Sequence, residues 1–271
     1  MFETLKNVFR VKEMRRKLLY VIWMILVIRI GSQLPVPGVD SDFFKEWFAK
    51  NTGDAFNFFD AFTGGSFTQM SIFALNITPY ITSSIIIQLL TIAIPALEEM
   101  QRDGEEGRKK LTAITRYVTV GLALFESVAM AIGFGRQGMI PNMNFLKGIV
   151  VVASLTAGSA MLMWLGERIT EKGIGNGISI VLTINIVSRI PSDVSLLYEN
   201  FVKGKTIAKG MLAACIIAVI ILFVVVLVLI LNGAERRIPV QYSRKMVGRK
   251  MMGGQSTNIP LKVNTAGVIP V

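Results

Sequence analysis

The amino-acid sequence predicts an all-α protein, a polytopic bundle of membrane-spanning helices. The first observation behind this prediction is composition, since 52% of the 271 residues are hydrophobic and only 17% are charged. The second is that the apolar residues are grouped in runs of about 17 to 25, the length that a helix needs to cross a bilayer. The six runs are Leu18–Leu34, Ile72–Leu97, Leu111–Phe134, Phe145–Leu165, Ile174–Ile190 and Ile207–Leu231.

The first run follows a basic tail, Met1–Lys17, which we expect to lie at the lipid headgroups. Each Lys or Arg there contributes roughly 1 kcal/mol of attraction to anionic lipid. The run is not a cleavable signal peptide, because RIGSQLPVPGVD follows it in place of a small-residue cleavage site. Pro35 and Pro37 end this span. We expect Arg29, near its outer end, to have a structural role because its side chain can reach the interface.

Two short elements are predicted between the first and second runs. Val39–Asp60 is rich in Phe and Asp, which favours a short surface helix. Ala61–Met70 predicts a half-length helix. About ten residues are too few to cross a bilayer, so this helix is expected to be a re-entrant element packed in a cavity.

The stretch Gly64–Leu90 is broken and polar in a way that a plain membrane anchor would not need. It opens with Gly64 and Gly65, and Pro79 lies near the start of its apolar part. In lipid, irregular backbone persists only where it is buried in protein or lines a wet cavity. The stretch therefore predicts a pathway. Its polar residues are Asn76, Thr78, Thr82, Ser83, Ser84 and Gln88.

Four residues of the second run share one helical stripe. At 100° per residue, Ile77, Ile81, Ser84 and Gln88 fall within roughly 60° of one another. One interpretation is that the isoleucines form a hydrophobic constriction while Ser84 and Gln88 line a passage. The other is ordinary helix packing, with Ser as a small contact residue. Periodicity does not separate the two.

Glu126 is the only acidic residue deep inside a predicted span. A carboxylate near the bilayer centre costs at least about 2.5 kcal/mol, so the side chain is expected to face protein or water. Its function could be that of a gate, an ion site or a proton relay. The alternative is a neutral, hydrogen-bonded carboxyl group that holds helices together.

The basic residues predict the orientation of the chain in the membrane. With the amino terminus inside, the inner segments hold 20 Lys and Arg residues and the outer segments hold 8. Cytoplasmic loops carry the excess of positive charge, so we expect a cytoplasmic amino terminus. The inner segments after the tail are Glu98–Lys110, the turn Glu167–Gly177 and the long loop Asn232–Thr265.

The long inner loop is strongly basic between Arg236 and Lys250. A polyanion such as ribosomal RNA, or an acidic protein surface, would suit this charge. The alternative is that the charge only sets topology, although the run is longer than topology requires.

Several classes of protein are excluded or weakened by missing residues. The sequence has no histidine, which excludes a Ser-His-Asp triad and histidine-dependent zinc sites. The single cysteine, Cys215, lies in an apolar run and cannot form a disulfide framework. The glycine-rich run Glu171–Ser179 lacks the Gly-Lys-Ser/Thr of a phosphate loop and a preceding strand. We therefore expect no enzyme activity, no cofactor and no metal site.

Four segments resemble the SecY family, the channel subunits of the bacterial Sec translocon. They are RIGSQLPVPGVD, SIFALNITPYITSSIIIQLL, MWLGERITEKGIGNGISI and GGQSTNIPLKVNTAGVIPV, in the order found in that family. The resemblance runs from about Lys17 to the last residue. It implies the first half of an inverted-repeat SecY-type channel with a re-entrant plug helix.

The resemblance also implies roles for individual residues. The pore-ring positions are Ile77, Ile81 and Leu182, where Leu182 replaces the frequent isoleucine. The plug positions lie within Asp60–Met70 and are Asp60, Ala61, Phe62, Gly64, Gly65, Phe67 and Met70. The lateral-gate positions are Thr82, Ser84, Gln88 and Glu126. The positions of the partner-binding loop are Arg236, Arg237, Arg244, Lys245, Arg249 and Lys250.

On this basis the chain is expected to be the amino-terminal part of a channel subunit. Its divisions are a basic tail (1–17), a five-helix half (18–190) with a plug near 60–70, a sixth span (207–231), a basic loop (232–265) and the truncated start of a seventh span (266–271). The resemblance implies a multi-pass protein of the bacterial cytoplasmic membrane that passes secretory proteins across it and releases membrane-protein helices into it.

The partners implied are SecE-like and SecG-like small membrane subunits, the SecA motor ATPase, the ribosome, signal peptides, nascent secretory chains and anionic lipid. Energy is expected to come from a partner, because no nucleotide site is visible in the sequence. The alternative function is an ion-coupled secondary transporter, with Glu126 as its coupling site and the broken second helix as its substrate site.

Overall fold

The structure is a computed structural model that describes residues 11–51, 60–138, 140, 144–201, 203, 207–240, 245–247, 250–252 and 257–262. The helices are α1 (Lys12–Gln33), α2 (Ser41–Asn51), α3 (Thr78–Ala93), α4 (Pro95–Arg102), α5 (Glu105–Arg136), α6 (Phe145–Lys172), α7 (Gly177–Phe201) and α8 (Ile207–Gly233). The strands are β1 (Glu235–Val240), β2 (Lys245–Val247), β3 (Lys250–Met252) and β4 (Thr257–Lys262).

Most of the predicted spans are confirmed as long apolar helices. Among the described residues, α5, α6, α7 and α8 are long and apolar enough to cross a membrane, and α3 with α4 makes a fifth if the bent pair is one span. The first predicted span forms α1, but α1 is not in this group. The reason is that basic residues occupy its first turns and Arg29 lies near its end, so each stretch of α1 long enough to cross a bilayer includes several basic side chains.

The second run differs from its prediction at both ends. The helix begins at Thr78 instead of Ile72, with Pro79 in its first turn, where the missing N–H costs no helical hydrogen bond. It ends at Ala93 because Pro95 cannot continue it, and α4 leaves at an angle of 102°. The predicted span Ile72–Leu97 is thus a shorter helix flanked by irregular backbone.

The predicted half-length helix over Ala61–Met70 is wrong. Only residues 60–63 are helical, and turns follow from 64 to 70 and from 72 to 77. The backbone adopts positive φ at Gly64 (67°), Gly65 (85°), Met70 (47°) and Asn76 (53°). A right-handed helix cannot contain such residues, so the chain turns repeatedly until Thr78.

The fifth predicted span extends further than the sequence indicates. The helix α7 continues through Pro191 to Phe201, although the fifth predicted run ends at Ile190. A proline removes one intrahelical hydrogen bond but keeps a φ close to the helical value, so it does not force the helix to end here.

The described residues divide into two compact units, 1–191 and 192–271. Two clusters of buried side chains form the core of the first unit. One centres on Phe44, Phe48, Phe67 and Phe134, and the other on residues of α1, α6 and α7 around Ile77. The irregular segment before α3 contributes to both clusters, since Met70 and Leu75 belong to the first and Phe73 to the second. This segment is therefore part of the core.

The second unit adds a small amount of β structure to the predicted all-α fold. After α8, β1 pairs with β4 in antiparallel register from Glu235 opposite Lys262 to Val240 opposite Thr257. The strands β2 and β3 form a second antiparallel pair. The helical fold class is thus confirmed, and the segment predicted as a basic loop contains two short antiparallel strand pairs.

Candidate functional site

Residues 60–77, here called the inserted segment, lie among the helices of the first unit. Backbone hydrogen bonds join the segment to the end of α1. The Val36 N–H donates to the Met70 carbonyl oxygen at 2.9 Å, and the Ile72 N–H donates to the Leu34 carbonyl oxygen at 2.9 Å. The two bonds hold the chain that leaves α1 against the middle of the segment.

Two glycines make room for the inserted segment. A Cβ atom on Gly31 of α1 would lie 2.1 Å from the Phe73 ring, and a Cβ atom on Gly158 of α6 would lie 2.0 Å from the Ile72 carbonyl oxygen. Neither distance is possible for a real side chain. The segment therefore approaches α1 and α6 so closely that both helices need glycine at the contact.

Aromatic rings hold the inserted segment on one side. The ring centroid of Phe67 lies 5.4 Å from that of Phe48, 6.1 Å from that of Phe134 and 6.5 Å from that of Phe44. The rings meet at steep angles, the edge-to-face arrangement that aromatic pairs favour. Phe67 is thereby packed against α2 and the end of α5.

Asp60 is a buried carboxylate at the start of the inserted segment, with 1% of its surface exposed. It accepts hydrogen bonds from the Thr68 N–H at 3.0 Å and from the hydroxyls of Thr63 and Thr68, both at 3.3 Å. It also forms an ion pair with Arg189 of α7. Asp60 therefore ties the two ends of its own loop together and ties the loop to α7.

A chain of amide hydrogen bonds connects the inserted segment to α7 and α1. The Asn76 amide donates to the Phe62 carbonyl oxygen at 2.9 Å, and the Asn185 amide donates to the Asn76 side-chain oxygen at 3.0 Å. The Arg29 guanidinium of α1 donates to the Asn185 side-chain oxygen at 3.2 Å. The same guanidinium nitrogen also donates to Ile184 and Ser188 of α7.

Gly64 allows the inserted segment to touch the backbone of α7. A Cβ atom at this position would lie 2.6 Å from the Asn185 carbonyl oxygen. Gly64 also has a φ of 67°, a left-handed conformation that is unfavourable for residues with a Cβ atom. Both facts require glycine here.

The residues predicted for the plug all lie in or at the edge of the inserted segment, in differing environments. Asp60, Phe67 and Met70 are buried, whereas Phe62 is 43% exposed. Ala61, Gly64 and Gly65 are half-buried. The structure therefore keeps these residues together but shapes them as turns instead of the predicted helix.

The residues predicted for the pore ring are not equivalent. Ile77 is fully buried in the second core cluster, at the N-terminal cap of α3. Ile81 and Leu182 are half-buried, and Ile81 packs at the edge of the same cluster. Of the three, only Ile81 and Leu182 have surface left to border a passage.

The residues predicted for the lateral gate lie on several faces. Ser84 and Gln88 are exposed and line a cleft of about 360 Å³ between α3 and α5. The Thr82 hydroxyl donates to the Thr78 carbonyl oxygen of its own helix at 3.0 Å. Glu126 is half-buried on α5 and does not line that cleft. The structure brings Ser84 and Gln88 together but not Glu126.

The packing face of α3 is carried by Ser83, which lies beside the predicted gate residues. Its hydroxyl lies 2.5 Å from the Thr119 hydroxyl of α5. The buried residues Ser83, Ile87 and Thr91 follow one another at a spacing of four along α3. Ordinary helix packing is therefore the role of Ser83, which is not on the predicted stripe. The interpretation that Ser84 and Gln88 line a passage remains open.

The basic loop is described only in part. Arg236 and Arg237 lie on β1 and are exposed. Lys245 and Lys250 belong to β2 and β3. Arg244 and Arg249 lie outside the described residues.

Two residues that bond across the site, Asn185 and Arg189, were not named as candidates from the sequence. Arg29 was expected to have a structural role and Asn76 was among the polar residues of the predicted pathway, but neither was assigned a partner. Asn185 had a usable signal, because a polar residue inside an apolar run normally faces protein or water. Arg189 had no such signal, since it lies at the end of its run and resembles an ordinary flanking charge.

These features define a class of protein. It is a polytopic helical membrane protein whose bundle holds a folded segment, bound by polar contacts, next to an interrupted span. The SecY family model matches residues 71–271. The whole chain aligns with a protein translocase subunit SecY of Halalkalibacterium halodurans at 43% identity over 276 residues, covering 64% of that relative. The chain belongs to the SecY family.

Solved structures show the same fold at low sequence identity. One is Sec61 in the canine ribosome–channel complex from the endoplasmic reticulum, with a TM-score of 0.56 and 19% identity over 83% of this chain and 49% of that one. Another concerns the plug domain of SecY, described as stabilising the closed state of the translocation channel and maintaining a membrane seal. Its TM-score is 0.57 and its identity 19%, over 92% of this chain and 52% of that one.

Proposed function

We propose that this chain forms part of a protein-conducting channel in which the inserted segment is the plug. The observation that supports the proposal best is the placement of residues 60–77, irregular backbone folded into the core of the membrane bundle. Such backbone needs protein or a wet cavity around it. A segment held by short polar contacts can leave its place without unfolding the helices that surround it.

In this function, Ile81 and Leu182 form part of a narrow apolar ring. A dry apolar constriction resists the passage of ions when no polypeptide is present. Ser84 and Gln88 border a sideways exit, where polar groups and lipid compete for an emerging segment. SecY-family membership favours this function over an ion-coupled transporter.

The remaining assignments belong to the same proposal. The protein is a multi-pass membrane protein, and we place it in the bacterial cytoplasmic membrane with its amino terminus inside. Arg236 and Arg237 extend from β1 on the inner side, where a ribosome or the SecA motor would dock. SecE-like and SecG-like subunits, signal peptides, nascent chains and anionic lipid complete the set of partners.

Crosslinking of a stalled secretory chain tests the proposal. Cys215 is first replaced by Ser, and a single Cys is then placed at position 81 or 182 of the assembled channel. We expect both positions to crosslink to the stalled chain. Position 86, on another face of α3, is the control and should remain unlinked. Equal or absent crosslinking at all three positions would contradict the proposed pathway.

A further inference from the structure

The helix α7 carries both a predicted ring residue and the residues that bond the inserted segment. Leu182, Asn185 and Arg189 follow one another at spacings of three and four, so they lie within roughly 60° on one helical face. Asn185 bonds to Asn76, and Arg189 pairs with Asp60. Any displacement of α7 that moves Leu182 therefore moves both attachment points of the segment.

Arg29 determines which way the amide chain is oriented. Its guanidinium donates to the Asn185 side-chain oxygen at 3.2 Å, so the Asn185 nitrogen must face the inserted segment. The Asn76 oxygen accepts from that nitrogen, which turns the Asn76 nitrogen toward the Phe62 carbonyl oxygen. Reversing either amide would place two acceptors or two donors against each other. The chain of bonds thus has one direction, set by α1.

The two sides of the inserted segment are held by different kinds of contact. Toward α2 and α5 the contact is apolar and made by the rings around Phe67. Toward α7 the segment also makes polar contacts, through Asn76 and Asp60, beside the apolar packing of Phe73 and Ile77. Apolar contacts tolerate sliding, whereas a hydrogen bond of 3.0 Å is lost when its atoms separate by about a further 1 Å. The α7 side is therefore the one that senses small displacements.

We propose that Asn185 and Arg189 make α7 a latch that couples the width of the ring to release of the plug. In the narrow state, α7 holds the inserted segment by the Asn76–Asn185 bond and the Asp60–Arg189 pair. When a polypeptide displaces Leu182, α7 moves away and both contacts break together, which leaves the segment held by its apolar packing and its backbone hydrogen bonds to the end of α1. This inference rests on the proposed function and adds a specific coupling to it.

The test follows exposure of the plug by chemical labelling. In a Cys215→Ser background of the assembled channel, Ser66→Cys reports on the segment, because Ser66 is only 3% exposed. The rate of its modification by a membrane-impermeant maleimide is measured without substrate. Asn185→Leu keeps the number and branching of the side-chain heavy atoms and removes the bond. We expect about a tenfold faster modification, as for the loss of one or two hydrogen bonds.

Coupling to the ring is tested by a double variant. Leu182→Gly alone should also speed modification of the cysteine introduced by Ser66→Cys. If the latch transmits this effect, Leu182→Gly combined with Asn185→Leu should be no faster than the faster single variant. Rates that multiply would overturn the proposal, because they would mean that the ring and the segment act independently.

Two further variants separate the latch from general damage to the fold. Thr183→Val removes an exposed hydroxyl that donates to the Ser179 carbonyl oxygen of its own helix, and it should leave the rate unchanged. Arg189→Gln should accelerate modification, whereas Arg189→Lys, which keeps the charge, should accelerate it less. An unchanged rate in both Asn185→Leu and Arg189→Gln would overturn the latch.

The outcome for the latch is distinguishable from the outcome for the channel. A stalled secretory chain should crosslink to positions 81 and 182 whether or not the latch exists. Crosslinking together with unchanged labelling in both Asn185→Leu and Arg189→Gln would remove the latch and leave the channel. Absence of crosslinking would remove the proposed function, and the latch with it.

Discussion

The side-chain nitrogen of Asn185 donates a 3.0 Å hydrogen bond to the side-chain oxygen of Asn76, across 109 residues of sequence. Asn76 has a positive φ of 53°, a conformation that Asn tolerates better than most residues. Asn76 therefore both allows the last turn before α3 and presents its amide to α7. The bond joins the inserted segment to the helix that carries Leu182.

Gly64→Ala is expected to loosen the inserted segment. An added Cβ would lie 2.6 Å from the Asn185 carbonyl oxygen, and the positive φ alone costs about 1–2 kcal/mol. Gly65→Ala is the matched control, since Gly65 has φ 85° but nothing within 4 Å of its Cβ position. We expect a larger fall in thermal stability and a higher resting ion conductance for Gly64→Ala. Equal effects of both variants would contradict the close contact with α7.

Phe67→Ala should remove the aromatic contact between the inserted segment and the helices α2 and α5. Removal of a buried Phe side chain costs about 3–5 kcal/mol. Phe67 is 4% exposed, whereas Phe62, five residues earlier, is 43% exposed and serves as the control. Unfolding measured in detergent should show a clear loss of stability for Phe67→Ala and a small one for Phe62→Ala. Similar losses would mean that the ring cluster does not hold the segment.

Ile81→Gly is expected to raise the resting ion conductance of the assembled channel. The substitution removes a half-buried branched side chain from the proposed apolar ring, so water and ions can enter. Ile86→Gly introduces the same backbone change on another face of α3 and should leave the conductance unchanged. A planar-bilayer recording without substrate measures both. Unchanged conductance in Ile81→Gly would refute the ring assignment.

Reversal of charge on β1 should weaken the binding of a ribosome or motor. Arg236→Glu with Arg237→Glu changes the charge of an exposed strand by four units, and the effect should shrink as salt increases. Lys109→Glu with Lys110→Glu makes the same change in the first turns of α5, within another predicted inner segment, and should have a smaller effect. Co-sedimentation over a salt series measures affinity. Wild-type affinity at every salt concentration would contradict the proposal that Arg236 and Arg237 bind a ribosome or motor.

Glu126→Gln distinguishes the channel from an ion-coupled transporter. The variant keeps the shape of the side chain and removes its ability to carry a proton. For a channel, we expect translocation of a secretory protein to continue, because no transport step requires protonation of Glu126. Uptake of a small solute that depends on a proton gradient, and that disappears in Glu126→Gln, would favour the transporter and contradict the proposed function.

The sequence by itself determined the helical membrane bundle and the position of its irregular part. Apolar runs are local properties, and burial of their backbone in lipid leaves helices as the structure available to them. The glycines and prolines around Gly64 and Pro79 likewise marked this stretch as interrupted, although the half-length helix predicted over Ala61–Met70 is wrong. The resemblance to the SecY family then supplied roles for these residues.

Only the tertiary structure decided which residues meet. Periodicity places Ser84 on a stripe with Ile81, but the packing face of α3 is carried by Ser83, because its hydroxyl meets Thr119 of α5. Periodicity also could not predict that Asp60 pairs with Arg189. Such partners depend on how helices distant in sequence pack, and spacing along one helix contains no information about the surface of another.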